Sequence, residues 1–249
     1  MSDLLALPEV EEALQAGGML PLGYDKQTAM PVMTSFLDNN SFLIVGAAKS
    51  GKTTLLKTIG ATLAEDARAR VYLIGDADLC QWAGQNGAQG YNPMDAALPD
   101  VLTALKEELA QRVEALQAAA AQGAQAVQDV RQGHAPLYIG LDDVDGIIAQ
   151  GDKAVLDALT DLAGDKARNT GICLFAAISH SRYKENSAKQ PLNTLVRQKR
   201  GFMLQGKLNE CDPFMANVPY SMKNLAFPTG EALYLQEGIV THLVLPMLD

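Results

Sequence analysis

FLIVGAAKSGKTTLLKTIGATLA, residues 42–64, sets a glycine-rich turn between an apolar run and a helix-like run. The turn itself, Gly46-Ala47-Ala48-Lys49-Ser50-Gly51-Lys52-Thr53, satisfies G-x-x-x-x-G-K-[ST], with a strand-like run before it and a helical pattern after it, the context that motif requires. Backbone N–H groups of such a loop, together with the positive end of the helix that follows, form a concavity suited to a polyphosphate. Glycine is needed where backbone comes close to phosphate, Lys52 is placed to reach the outer phosphate oxygens, and Thr53 offers its hydroxyl to Mg²⁺. The expected ligands are therefore ATP and Mg²⁺, held by residues Gly46, Ala47, Ala48, Lys49, Ser50, Gly51, Lys52 and Thr53, with Thr54 next in line.

Working outward, the pattern alternates. A short helix is expected over residues 3–16, ended by Gly17-Gly18. After it "MLPLGYDKQTAMPVMTSF" reads as short strands broken by Pro21, Gly23 and Pro31. "RVYLIGDAD", "PLYIGLDD" and "GICLFAAIS" are apolar runs of buried-strand type. "GFMLQG", "EALYLQ" and "IVTHLVL" are further strands, and helical patterns such as "KAVLDALTDLAGDKA" lie between the first four. Strands alternating with helices imply an α/β fold with a mostly parallel sheet covered on both faces. Leu102, Leu105, Leu109, Val113, Leu116, Ala120, Gly123, Val127 and Val130 recur at steps of three and four, which predicts one long helix with a single apolar stripe across residues 101–132. No repeat or linker divides the chain, so a single domain is expected: an N-terminal helix in residues 1–18 and a core over residues 19–249.

The acid that partners such a loop should end another buried strand. Asp142 does so after Leu137-Tyr138-Ile139-Gly140-Leu141 and is expected to hold Mg²⁺ through water. Asp143 follows, where ATPases of this class often carry a glutamate that orients the attacking water. An aspartate has the same charge on a shorter arm, and a misplacement of about 1 Å costs about a hundredfold in rate. Binding should survive that change more readily than turnover. Lys52 and Asp143 are thus the catalytic candidates, and the alternative is that the two acids only end a strand and cap a helix. Ser179 closes "ICLFAAIS", where a polar residue either senses the outer phosphate or caps the next helix. His180 reads as a polar residue at a strand end, and His134 and His242 show no partner in the sequence. The basic segment from Arg182 to Arg200 reads as a solvated face, a source of an arginine for a neighbouring subunit, or a patch for an acidic peptide. Arg68 and Arg70 invite no special reading.

Over 249 residues, 48% are apolar, ample for a core, and the formal net charge is −9. That balance repels a phosphate backbone and disfavours nucleic acid as a partner. Three cysteines, Cys80, Cys173 and Cys211, are widely spaced and match no metal-ligand pattern, so reduced thiols are expected. The start, "MSDLLALPEVEEALQ", lacks the features of a signal peptide, and the longest apolar run, "ICLFAAI", is too short to span a bilayer.

In order and spacing, "LPLGYD", "MPVMTSFLDNNSFLIVGAAKSGKTTLLKTI", "VYLIGDAD", "PLYIGLDDVD" and "FPTGEALYLQEGIVTHLVLP" resemble the FtsK/SpoIIIE family of RecA-like P-loop ATPases. Within it they are most similar to the terminal (third) ATPase domain of the EssC/EccC motors of type VII secretion. The resemblance covers nearly the whole chain. It implies a RecA-like sheet with added antiparallel strands near the C-terminus, and a place as the last of several tandem domains on a membrane-anchored bacterial motor with its ATPase part in the cytoplasm. It further implies neighbouring ATPase domains that lend an arginine, small helical secreted proteins as cargo, and weak intrinsic hydrolysis. Gly46, Lys52, Thr53 and Asp142 match the family's phosphate loop and magnesium acid. Asp143 in place of glutamate, and "FPTGEA" without the arginine of the relatives' "PGRG" turn, depart from the pattern and weaken vigorous hydrolysis or DNA translocation. Four readings result: a slow ATPase module, a nucleotide-stabilised peptide receptor without catalysis, a DNA-pumping motor disfavoured by charge, and a small-molecule kinase for which no acceptor motif exists.

Overall fold

The computed structural model describes residues 2–16, 19–35, 38–209, 212–215, 218 and 223–246. Expectations that fall on Gly17-Gly18, on Phe36, on Cys211 and on residues 247–249 lie outside these. The chain starts with two helices, α1 (Ser2–Leu5) and α2 (Pro8–Ala16), where one was expected. The break falls at Pro8, which fits the first position of a helix better than the interior of one. Strand β1 (Met19–Asp25) then runs through Pro21 and Gly23 instead of breaking at them, at the cost of a register shift between the two against β2 (Pro31–Ser35).

Strand β3 (Ser41–Gly46) is buried along its whole length and leads into helix α3 (Lys52–Ala64). Strand β4 (Arg70–Ile74), helix α4 (Ala77–Gln85) and a short strand β5 (Gln89–Tyr91) follow. At three residues β5 is too short to carry a period, and no pattern along the chain marks it. The expected single long helix is two, α5 (Leu98–Ala120) and α6 (Ala124–Gly133), separated at Gly123, whose φ of 120° no helix accommodates. Leu102, Leu105 and Leu109 are buried, while Val127 and Val130 are only half-buried and α6 has no buried residue. Past Leu116 the stripe holds only Ala120, Gly123 and two valines, too little apolar area to hold a helix on the sheet.

Strand β6 (Leu137–Leu141), helices α7 (Val144–Gln150) and α8 (Lys153–Ala163), strand β7 (Ile172–Ser179), helices α9 (His180–Asn186) and α10 (Leu192–Arg197) and strand β8 (Arg200–Leu204) complete the parallel part. Strands β9 (Glu231–Gln236) and β10 (Ile239–Val244) close the described fold. One ten-stranded sheet runs β2-β1-β10-β9-β8-β3-β7-β6-β4-β5. The pairings from β8 through β5 are parallel and those from β8 through β2 antiparallel. The antiparallel half therefore comes from both chain ends, not the C-terminal end alone.

Alternation along each strand divides the core into two layers. Leu43, Val45, Ile139, Leu174 and Met203 face α5, α7, α8 and α10. Phe42, Ile44, Leu73, Phe175 and Phe202 face α3 and α4. On the second face Phe42 stacks on Phe175 at 5.0 Å between centroids and Phe202 tilts on Tyr234 at 5.2 Å, each contact contributing about 1 kcal/mol beyond burial and binding β7, β3, β8 and β9 side by side. Among the described residues no helix is long and apolar enough to cross a membrane.

Candidate functional site

The carboxyl ends of β3, β7, β6 and β4 meet at one edge of the sheet, and the glycine-rich turn lies there. A side chain on Gly46 would place Cβ 2.3 Å from the Ser50 hydroxyl and 2.6 Å from the Leu204 carbonyl, so the turn closes only on glycine. Gly51, at φ 94°, turns the chain into α3, and Lys49 before it is also left-handed at φ 61°. Ser50 is buried with its Oγ unpartnered among the described residues. A buried hydroxyl in that condition at a helix start fits a site whose ligand brings acceptor oxygens.

Lys52 folds back over the turn, its Nζ donating to the carbonyls of Ala47 at 2.7 Å and Gly46 at 3.3 Å. Burial lowers the pKa of this ammonium, opposed by the charges of Asp142, Asp143 and Asp145. Thr53 donates through Oγ1 to Asp142 Oδ2 at 2.7 Å, so the hydroxyl and the carboxylate expected to share a magnesium ion converge across 89 residues of sequence. Burial raises the pKa of Asp142, the Thr53 bond opposes this, and Asp76, the N-cap of α4, raises it further. One hydroxyl and one carboxylate leave most of a magnesium shell to water and phosphate, which is how Mg²⁺ is usually held. No cluster of three or more His, Cys, Asp or Glu side chains that could hold a metal ion occurs among the described residues.

Asp143 sits at φ 66°, ψ 61° at the start of α7, yet its side chain makes no cap bond. It faces Asp145 instead. The hydrogen bond to Asp145, then burial, then the charges of Asp145 and Asp142 push its carboxyl up to about 7. Asp145 also meets Arg182 Nε at 3.3 Å, and Arg182 in turn donates to Glu185 at 3.0 Å. Sequence reasoning named Asp143 and Arg182 but missed Asp145, whose only signal was its place in "LDDVD".

Ser179 ends β7 directly opposite Gly46 in the parallel register. Its hydroxyl caps α9, accepting from the Arg182 N–H at 3.4 Å, the second of the two roles expected of it. His180 lies against Gly206, where a Cβ would fall 2.3 Å from the ring. His242 does have a partner, Glu231 at 2.7 Å, and Glu231 also accepts from Lys26, a tie between β10, β9 and the end of β1 that spacing along the chain does not reveal. Arg70 likewise has a role: with Arg112 it brackets the carboxylate of Glu108. Cys80 and Cys173 are free thiols, and burial raises the pKa of both.

Beside the loop a cavity of 240 Å³ opens between α3, through Thr54, Leu55 and Thr58, and the last strands, through Thr229, Gly230, Leu245 and Pro246. Its described lining contains no charged side chain. Apolar contact and hydroxyls there suit a flat ring more than a particular pattern of ring substituents.

No family model matches the chain and no curated protein does. Solved structures do. Thermomonospora curvata EccC (ATPases 2 and 3) in complex with a signal sequence peptide superposes with a TM-score of 0.73 at 21% identity, over 95% of this chain and 42% of that one. The cytoplasmic domain of the Thermomonospora curvata type VII secretion ATPase EccC gives 0.73 at 22%, over 99% and 28%. The pCW3 conjugation coupling protein TcpA, monomer form with ATPγS, gives 0.74 at 15%, over 93% and 66%. The chain thus spans less than half the length of the EccC structures it resembles. At such identities the likeness establishes the fold alone, the RecA-like α/β sheet that these structures share.

Proposed function

We propose that the chain is a nucleotide-binding domain of a protein-secretion motor, binding Mg·ATP and hydrolysing it slowly unless a neighbouring domain supplies an arginine. The observation that carries the nucleotide part is the 2.7 Å bond from Thr53 to Asp142 at the mouth of the Gly46–Thr53 loop. Lys52 and the loop amides would hold the phosphates, Thr53 and Asp142 would hold Mg²⁺ directly or through water, and bound Mg²⁺ would draw charge from the outer phosphate oxygens. The likeness to EccC supports the secretion part, and the complex of that protein with a signal sequence peptide supports peptide recognition as a second task. Neighbouring ATPase domains and small helical cargo proteins are the partners this reading implies, with any membrane anchor elsewhere on the chain. The net charge of −9 speaks against a duplex-DNA motor.

A second reading has its own support. Asp143 makes no cap bond, and its hydrogen bond to Asp145, with burial, pushes its carboxyl up to about 7, so the candidate base for hydrolysis is engaged by a second acid in this arrangement. The domain would then use nucleotide as structural cement and serve as a receptor. Mg²⁺-dependent binding of ADP and ATPγS by calorimetry tests both readings at once, and their absence in the presence of Mg²⁺ sinks both. Turnover separates the two. With Asp143→Asn, nucleotide affinity is expected to stay within about twofold, because Asp143 is not among the groups placed on phosphate or metal. Hydrolysis in a chain carrying its neighbouring domains is expected to fall at least about a hundredfold, the lower end of what a general base contributes. Phosphate release at the same rate in the variant and the parent would leave the receptor reading standing alone.

A further inference from the structure

Two arginines of this chain are almost wholly buried, and the contrast between them points to a second ligand site. Arg112, with 6% of its side chain exposed, is fully engaged. Its Nε and Nη2 reach Glu108 at 3.0 and 2.5 Å, Nη2 also reaches the Ala135 carbonyl at 2.8 Å, and Nη1 reaches the Thr170 carbonyl at 2.8 Å. Among the described residues Arg200, with 4% exposed, has unpartnered Nε and Nη1, and its nearest carboxylate is Glu237 Oε1 at 3.8 Å, on a side chain 70% exposed. Burying a guanidinium costs several kcal/mol unless carboxylate or carbonyl oxygens replace its water. The fold provides those oxygens at Arg112 and withholds them at Arg200.

Arg200 lines a cavity of 460 Å³ whose wall also carries Arg168, Ser35, Asn39, Asp38 and Glu237. Arg200 is the first residue of β8 and lies four residues before Leu204, the partner of Gly46, so the cavity sits about 13 Å along the strand from the phosphate loop, at the opposite edge of the sheet. Of its two acids, Asp38 is engaged by Arg131 at 3.0 Å, and Glu237 is exposed and free to turn away. Arg200 is then left without a close carboxylate among the described residues, beside Arg168, which Asp165 shares at 3.3 Å, and the hydroxyl and amide groups of the wall.

We propose that this cavity is an oxyanion-binding site in which a small carboxylate or phosphate group takes the place of Glu237 as the partner of Arg200. Burial, and after it the charge of Arg168, lower the pKa of Arg200 more than the charges of Glu237 and Asp165 raise it. The ligand class is a small molecule bearing a carboxylate or phosphate, and charge-assisted bonds to guanidinium are the strong kind.

The test uses the full chain carrying Lys52→Ala, so that the phosphate loop does not respond to phosphate and the fate of the nucleotide reading has no bearing on the result. Thermal unfolding is followed while sodium phosphate or sodium citrate replaces sodium chloride at constant ionic strength. The Arg200 Nε–Hε resonance, assigned by its loss in Arg200→Met, is titrated in parallel. A saturable shift of that resonance is expected, with a rise in melting temperature that Arg200→Met removes and Glu237→Ala makes detectable at a concentration about threefold lower. A response to phosphate alone identifies a phosphate site, and one to citrate alone a carboxylate site. An equal response to chloride, or a resonance that no anion moves, overturns the proposal, since Arg200 is then satisfied by water. Should Arg200→Met fail to fold, Arg168→Gln and Glu237→Ala decide: the first is expected to weaken the shift and the second to strengthen it, and no change in either overturns the site.

Discussion

Lys52→Ala is expected to weaken Mg·ADP and Mg·ATPγS binding at least about a hundredfold while the fold stays intact. The ammonium is half-buried, and in the present arrangement its partners are two carbonyls of its own loop, Ala47 and Gly46. Those bonds hold the side chain across the turn, where incoming phosphate oxygens would take over the same protons. A hydrogen bond to a charged group contributes about 1.5–3 kcal/mol, and a lysine shared by two phosphates makes two such bonds, so its loss amounts to about two orders of magnitude in affinity. The fold loses little, because both carbonyls lie at a loop where water can replace the ammonium. Calorimetric titration reads the affinity and thermal unfolding without nucleotide reads the fold. Equal affinity in variant and parent would show that Lys52 does not touch phosphate, and the Gly46–Thr53 loop would then be a structural turn.

The site was legible where chemistry follows the local chain and illegible where it depends on distant elements meeting. The loop from Gly46 to Thr53 was read from adjacent residues, and Asp142 from its place at the end of a buried strand. Both follow from the rule that ligands collect beyond the carboxyl ends of parallel strands. The bond between Thr53 and Asp142 needed β3 and β6 to lie one strand apart with β7 between them, an order that alternating strands imply but do not fix. Asp145 was overlooked because a residue four places beyond a strand end has no position until α7 turns it back toward Asp143. Arg70 passed as an ordinary strand-end charge, and its carboxylate partner lies 38 residues on. The long apolar stripe misled because it was scored by period alone. Alanine keeps the period but brings little area, and Gly123 supplies the break. The two buried arginines mark the limit of sequence reading, since nothing in "LAQRVEA" or "RQKRGFM" separates the paired guanidinium from the unpaired one.

Gly201→Ala is expected to cost at least about 4 kcal/mol of stability, the largest effect of any single methyl group added to this sheet. Gly201 lies second in β8 at φ 152°, paired with Leu43 of β3, and an added Cβ would stand 1.8 Å from the Leu43 carbonyl oxygen and 2.8 Å from its carbon. Neither atom is the end of a flexible side chain. Both belong to the central strand that leads into the phosphate loop, so relief requires β8 and β3 to move apart. Separation would break the ladder at Leu43, Ile44, Val45 and Gly46 and pull Phe202 away from Phe42. A domain with about 5–15 kcal/mol in all does not absorb that loss easily. Gly60→Ala is the control: inside α3 the new methyl would meet Leu73 and Val71 side chains at 3.5–3.8 Å, ordinary contact, and alanine favours a helix over glycine by about 1 kcal/mol. Urea unfolding should therefore move in opposite directions for the two variants. Arg200 and Gly46 lie at opposite ends of the β8–β3 pair, so nucleotide affinity and the anion response at Arg200 should decline together in Gly201→Ala, and neither should change in Gly60→Ala. Parent-like stability in Gly201→Ala would mean that β8 and β3 are not paired in the register that places the phosphate loop beside Leu204.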